Sequence, residues 1–470
     1  MKYTKLYILF AAVIMMTSCN DALFIDPADE IVDENAINNV DDVEDAVLGA
    51  YSAMGGGDNS AAIVEWNSIF TDELFLPTSN NGQGVQVHSW SINSSTNEAA
   101  NIWNNLYLAI SRTNRVLTAM NSVTAANPSE QARLDRARGE LLAIRAMNHF
   151  DLIRFFAPSY TDDAALGVPY VDYVVVLEQP ARNTVGEVFE GINADILEAK
   201  NLIPAADATN IKITRDAITA LQARIALYRN DNASAIAFAT ELIDLYPALE
   251  NDQAGFDAIW NDTDPQTTRT NEVIFKLKRV AGDGKGRIGQ IFTENSGNIF
   301  FSPSEKLKSS YATNDLRFNK YISTDGSEVA KYPGVGANVN LNDVKVFRIS
   351  EMYLIRAEAY AKTSQLDLAE ADYDAVRTAR QSGFAGIDFT SATDAVVKIL
   401  EERYREFAFE GHRFFDLKRT GTAVSRVAGD CEPVPTACNL TATDYRFALP
   451  IPQSEIFVND NIIQNTGYNN

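Results

Sequence analysis

From Glu130 to Phe156 the run EQARLDRARGELLAIRAMNHFDLIRFF brings back an apolar side chain every third or fourth residue, with Leu134, Ala137, Leu141, Ile144 and Phe150 on one face. That period belongs to an α-helix, and it commits the stretch to burying one stripe against neighbours. Further helices read at about 40–54, 98–122, 184–202, 214–229, 232–246, 350–362, 366–381 and 392–410, with starts at Thr214-Arg215-Asp216 and Ser350-Glu351. Two helix pairs share a spacing. Ala223, Ala235 and Pro247 follow one another at intervals of twelve, and Ala357 and Ala369 keep the same interval, with Tyr360 and Tyr373 just beyond them. Small residues at those places let two antiparallel helices approach closely, as in a tetratricopeptide pair, although a plain helical hairpin has the same local pattern. Such pairs need neighbours for their second face, and the helices at 98–156 and 184–202 are the expected ones.

Two stretches break the helical text. Residues 250–349 are rich in Gly, Asn, Ser and Asp, with strand-like runs at Val273-Ile274-Phe275 and Val344-Lys345-Val346-Phe347. Residues 55–97, with Gly55-Gly56-Gly57 and Asn80-Asn81-Gly82, read as long loops. Long irregular loops on a rigid frame are where binding surfaces form. Trp66, Trp90 and Trp103 fall in or beside the 55–97 stretch, interleaved with Asn67, Asp72, Glu73, Asn81 and Asn93. Sugar rings stack on indoles while their hydroxyls take carboxamide, carboxylate or guanidinium partners. Trp103 sits in apolar helical text and reads as core, whereas Trp90 reads equally as a stacking or a packing residue. The expected ligand surface combines the loops at 55–97 and 280–335, with Trp90, Asp72, Asn81, Arg287, Phe300 and Tyr332 as its candidate residues.

The N-terminus sets the compartment. Lys2 and Lys5 precede an apolar run from Leu6 to Met16, and Thr17-Ser18 leads into Cys19. The run is too short for a bilayer span and has the layout of a secretory leader, here residues 1–18. A cysteine directly after small residues predicts a lipoprotein in which Cys19 carries the acyl chains and anchors the protein to a membrane. A secretory leader with an incidental cysteine is the alternative. A formal charge of −23 and the lack of any Lys/Arg cluster argue against nucleic acid. The other two cysteines, Cys431 and Cys438, flank the loop CEPVPTAC, and in an exported protein they are expected to pair as a disulfide. Two free thiols or half a metal site are the other readings.

Signs of catalysis are thin. Gly284-Lys285-Gly286-Arg287-Ile288-Gly289 fits GxGxxG, but no helical period follows it, so it reads as a loop and not a phosphate cradle. His88, His149 and His412 show no metal-binding spacing, and the last two lie in aromatic-rich helical text where a packed histidine is expected. No metal and no cofactor are expected. A glycosidase carboxylate pair carries no required spacing, so a lipid-anchored polysaccharide-degrading enzyme stays as an alternative.

The C-terminal half adds a family resemblance. Arg348-Ile349-Ser350-Glu351-Met352-Tyr353-Leu354, running on to Ala357-Glu358-Ala359, resembles a segment of the SusD/RagB family of outer-membrane nutrient-binding lipoproteins. Glu402-Arg403, Glu406, Glu410-Gly411, Arg413, Asp416-Leu417 and Arg419 resemble its next helix, and Pro450-Ile451-Pro452 with Gln464-Asn465-Thr466-Gly467-Tyr468 resembles its closing segment. Trp90, Trp103, Tyr107, Ile110 and Asn114 fit its N-terminal spacing. The resemblance implies a mainly α body of tetratricopeptide-like helix pairs in a right-handed superhelical scaffold, wrapped by long loops and a few short strands. It divides the mature chain into an N-terminal region at 19–250 and a C-terminal region at 251–470. It also implies a non-enzymatic protein at the cell exterior that captures a glycan and delivers it to a SusC-like TonB-dependent outer-membrane transporter. Peptide capture or a protein-adaptor role are alternatives. Arg348, Glu351, Glu358, Glu402, Arg413 and Asp416 lie in helical text and are expected to form buried ion pairs that hold helices together, outside the binding site.

Overall fold

The computed structural model describes residues 37–55, 62–280, 288, 292, 298–335 and 341–468. Cys19, Arg287 and most of the GxGxxG stretch lie outside the described residues. In chain order the helices are α1 Val40–Met54, α2 Ala62–Phe70, α3 Val85–His88, α4 Asn97–Ala119, α5 Pro128–Phe156, α6 Val185–Leu202, α7 Arg215–Tyr228 and α8 Asn232–Ile243. They continue with α9 Gln253–Trp260, α10 Glu305–Ser310, α11 Leu316–Tyr321, α12 Ile349–Lys362, α13 Leu366–Arg380, α14 Ala392–Glu406, α15 Arg413–Thr420 and α16 Gln453–Val458. The strands among the described residues are short and pair only in twos: β1 Leu74–Phe75 with β3 Ser302–Pro303, β2 Val273–Leu277 with β4 Val344–Arg348, and β5 Val424–Ser425 with β6 Asn439–Leu440.

Local chemistry starts these helices. Asn39 and Asp42 form a capping box on α1, and Thr184 and Glu187 form another on α6. Asn127 caps α5, with Pro128 at its first position. Thr214 accepts the Ala217 N–H, as its sequence suggests. Ser350 does not cap: α12 begins at Ile349 and the Ser350 hydroxyl accepts from Arg348 Nη1 at 2.9 Å.

The long helices pack largely in chain order. α4 lies on α5, α5 on α6, α6 on α7 and α7 on α8, while α12 packs on α13 and α14. The two pairs with matching alanine spacing, α7–α8 and α12–α13, are brought side by side by the α8–α12 contact. Ala223, Ala235, Ala357 and Ala369 are fully buried at these contacts. The strand-like runs at 273–275 and 344–347 pair antiparallel with each other, Val273 opposite Arg348 and Leu277 opposite Val344.

Two expectations need correction. The stretch 55–97 is not all loop, because α2 and α3 lie within it. The α2 text AIVEWNSIF is buried from Trp66 to Phe70, so it has no polar face whose period could reveal a helix. The expected helix at 392–410 ends at Glu406, and a new one starts at Arg413. Phe409 at φ 64° and Gly411 at φ 82° take the left-handed region that an α-helix cannot contain.

A buried ion-pair network crosses the helical layers. Arg348, Arg317 and Arg380 converge on Glu406 at 3.0, 3.0 and 2.9 Å. Glu402 takes Arg317 at 2.6 Å, Glu351 takes Arg224 at 2.6 Å and Glu358 takes Arg419 at 2.5 Å. Asp416 takes Arg403 at 2.8 Å, and Arg413 takes Asp72 at 2.8 Å. The residues that carry the family pattern in α12, α14 and α15 therefore pair with one another or with distant cations and anions, inside the core. Removing one partner of such a pair leaves a buried charge without compensation.

Candidate functional site

The two irregular stretches meet. β1 pairs with β3, Ser79 Oγ donates to Ile299 O at 2.8 Å, and Asn80 Nδ2 donates to Phe300 O at 2.7 Å. Gly84, at φ 63°, lets the turn descend onto Phe301, where a Cβ would come within 3.1 Å of the ring. Residues 74–84 and 298–303 thus form one surface.

Most of the sequence candidates lie beneath that surface. Trp90, at φ 57°, is 3% exposed. Its Nε1 donates to Phe70 O at 2.8 Å, and the Arg426 guanidinium lies 4.5 Å from the ring centroid. It packs and has no face open for stacking, which corrects its candidacy. Asp72 is fully buried, held by two 2.8 Å bonds from Arg413 and one of 2.6 Å from Lys306. Burial alone would raise its pKa, but those two cations outweigh it and hold the carboxyl below the carboxylate range. Tyr332 is buried and donates to Phe409 O at 2.6 Å. Phe300 is mostly buried, while Asn81 is exposed on the turn. The Cys431–Cys438 disulfide is formed.

The histidines are structural. Burial, reinforced by Arg426, pushes His88 down to about 3, and burial likewise takes His149 to about 3. His149 Nε2 accepts the Val171 N–H at 3.0 Å, and Nδ1 lies 3.0 Å from Arg145 O, which fixes one neutral tautomer. His412 lines a cavity of about 60 Å³ among the ion pairs, room for water and not for substrate. Among the described residues no group of three or more His, Cys, Asp or Glu is arranged to hold a metal ion.

Beside the joined loops lies an open pocket of about 270 Å³ with Trp66 in its wall. Glu65, Gln83, Asn97, Glu98 and Asn101 also line it, with Ile69 beneath. Trp66 is 2% exposed, stacks on Phe70 at 5.9 Å, and keeps its Nε1 buried with no acceptor in the protein. An unmet buried donor of this kind costs about 1–3 kcal/mol. Carboxamides at Gln83, Asn97 and Asn101 stand on exposed positions around it. Among the described residues no Lys or Arg lines this pocket. Trp66 belongs to the tryptophan cluster visible in the sequence. Its role is not, because that depends on the unrecognised helix α2 and on α4 beside it.

The site is thus a helix-dominated frame carrying an open pocket edged with carboxamides. Residues 227–468 match the model of the SusD family, and residues 25–227 match a model described as starch-binding and associating with the outer membrane. The chain belongs to the SusD family. It is 22% identical to a SusD-like protein of Formosa agariphila over 99% of this chain and all of the relative. Among solved structures, a putative sugar binding protein from Bacteroides vulgatus is 25% identical with a TM-score of 0.80, covering 92% of this chain and all of that one. A SusD superfamily protein from Bacteroides thetaiotaomicron has the same fold, with a TM-score of 0.80 at 24% identity over 91% of this chain and 99% of its own.

Proposed function

We propose that this protein is a cell-surface lipoprotein that binds a glycan in the Trp66 pocket and hands it to a SusC-like TonB-dependent transporter. The observation that carries the reading is the pocket itself, an open space of about 270 Å³ edged by the carboxamides of Gln83, Asn97 and Asn101. An apolar wall takes a sugar's C–H face, and Gln83, Asn97 and Asn101 offer donors and acceptors to its hydroxyls. With Glu65 and Glu98 in the wall, no base there among the described residues, and a chain charge of −23, the favoured ligand is a neutral glycan and not a sulfated or uronic one. The leader ending at Cys19 supplies the anchor, and no helix among the described residues is long and apolar enough to cross a membrane. Membership of the SusD family and the starch-binding description of the N-terminal match support binding over catalysis.

Titration of the purified chain against neutral and anionic polysaccharides tests this reading. Gln83→Ala with Asn101→Ala is expected to weaken the best neutral ligand roughly tenfold, about 1–2 kcal/mol for two lost rim hydrogen bonds, with the melting temperature unchanged. Released reducing ends would make the protein an enzyme and defeat the binding reading. Undiminished affinity in the double variant would place the site elsewhere.

A further inference from the structure

A second cavity, of about 300 Å³, lies further along α4, walled by Trp103, Tyr107, Tyr173, Pro180, Glu178 and Glu455. From Asn101 in the Trp66 pocket to Tyr107 here is about 9 Å along the helix axis. The strap from 169 to 180 that closes this cavity is firmly tied. Asn114 Nδ2 donates to Val171 O at 3.0 Å and Tyr173 O at 2.9 Å, and Tyr107 Oη donates to Pro169 O at 2.8 Å. At its far end Gln179 Nε2 donates to Val458 O at 2.7 Å, and Asn459 Nδ2 donates to Pro180 O at 3.0 Å. The cavity is therefore built from three chain segments fixed to one another.

Its chemistry differs from that of the Trp66 pocket. Two tyrosines and a tryptophan line a space whose only charged lining groups among the described residues are the carboxylates of Glu178 and Glu455. The Val176 and Leu177 N–H groups both donate to Glu178 Oε2, at 2.8 and 3.1 Å, and hold that carboxyl below its ordinary range. Arg182, the nearby cation, is spent on the carbonyls of Leu166, Gly167 and Ile463 and does not line the cavity. Next in sequence to the lining residues Val175, Glu178 and Val458, the apolar Val176, Leu177 and Phe457 are 72%, 90% and 73% exposed. Aromatic faces beside carboxylates attract an ammonium, and apolar side chains nearby accept the body that carries it.

We infer that this cavity is a second ligand site, for a protonated amine carried on a ring or an alkyl chain. An amino-sugar unit and a lysyl side chain share that chemistry, and the site is independent of the glycan reading of the Trp66 pocket.

Calorimetric titration at pH 7 separates the possibilities. One arm compares glucosamine disaccharide with its N,N′-diacetyl form, and the other compares Nα-acetyl-lysine methylamide with the norleucine analogue. In at least one arm the amine is expected to bind about tenfold more tightly than its neutral counterpart, and the arm that does so identifies the source. Glu178→Gln with Glu455→Gln is expected to erase that preference, as is the independent Tyr173→Ala at an exposed position. Gln83→Ala with Asn101→Ala is expected to leave it intact. Equal binding of amine and neutral forms in both arms overturns the inference. So does a preference that survives the double glutamine variant and Tyr173→Ala, or one that vanishes with the Trp66-rim variant.

Discussion

Single side chains in this protein are tuned mainly by burial. Glu73 shows it most clearly: burial, with the negative charge of Asp72 beside it, pushes its carboxyl up from 4.5 to about 7. A raised carboxylate weakens the fold as pH climbs from about 4.5 to about 7, because the unfolded chain ionises first and is favoured. Glu73→Gln is therefore expected to match the parent near pH 4 and to exceed it by roughly 2–3 kcal/mol at pH 8. Urea unfolding at several pH values checks this, and a difference that stays constant with pH would refute it. Trp90 belongs to the same scale. With its indole enclosed and its N–H bonded, Trp90→Ala is expected to cost about 3–5 kcal/mol of stability. Glycan affinity of the folded fraction should hardly change. A variant that melts like the parent and loses binding would return Trp90 to the site.

At the scale of elements, the C-terminal loops brace α2 and α3. β5 pairs with β6, Arg426 N donates to Cys438 O at 2.8 Å, and the Arg426 guanidinium reaches the carbonyls of Ile69, Phe70, Thr71, His88 and Ala437. The disulfide closes the loop that positions this arginine, which in turn covers Trp90. Replacing Cys431 and Cys438 by serine is expected to lower stability by about 2–3 kcal/mol through loop-closure entropy. Chemical denaturation of the oxidised parent and the double variant measures it, and unreduced mass spectrometry verifies the bond. Equal midpoints would mean that the loop is held by its hydrogen bonds alone.

For the whole molecule, membrane attachment is part of the proposal and rests on Cys19. No helix among the described residues is long and apolar enough to cross a membrane. Cys19→Ala is expected to move the protein from the membrane fraction to the soluble one in cells lacking the transporter partner. Full retention there would refute lipid anchoring. A single hydrophobic cluster runs from Val40 to Ile462 across the helical layers, so loop surfaces at the Trp66 pocket sit on a frame held from both halves of the chain.

The sequence by itself determined the parts whose cause is local. A helix with one polar and one apolar face, such as α14, declares itself through a period that only nearby residues create, whereas α5 is buried on all sides from Gly139 to Phe150. The same holds for the Thr214 cap and for the disulfide across a short loop. The residues of the ion-pair network were legible as types, since charged side chains in core-facing helical text must find partners. Tertiary structure alone decided which partner, and which aromatic, would serve. Asp72 meets Arg413 across 341 positions, and its burial turned a sugar-binding candidate into a brace. Trp66 and Trp90 look alike in sequence, yet packing encloses one indole around a hydrogen bond and leaves the other in a pocket wall with its N–H unmet. That choice depends on how α2, α4 and Arg426 come together, and no window of neighbouring residues contains it.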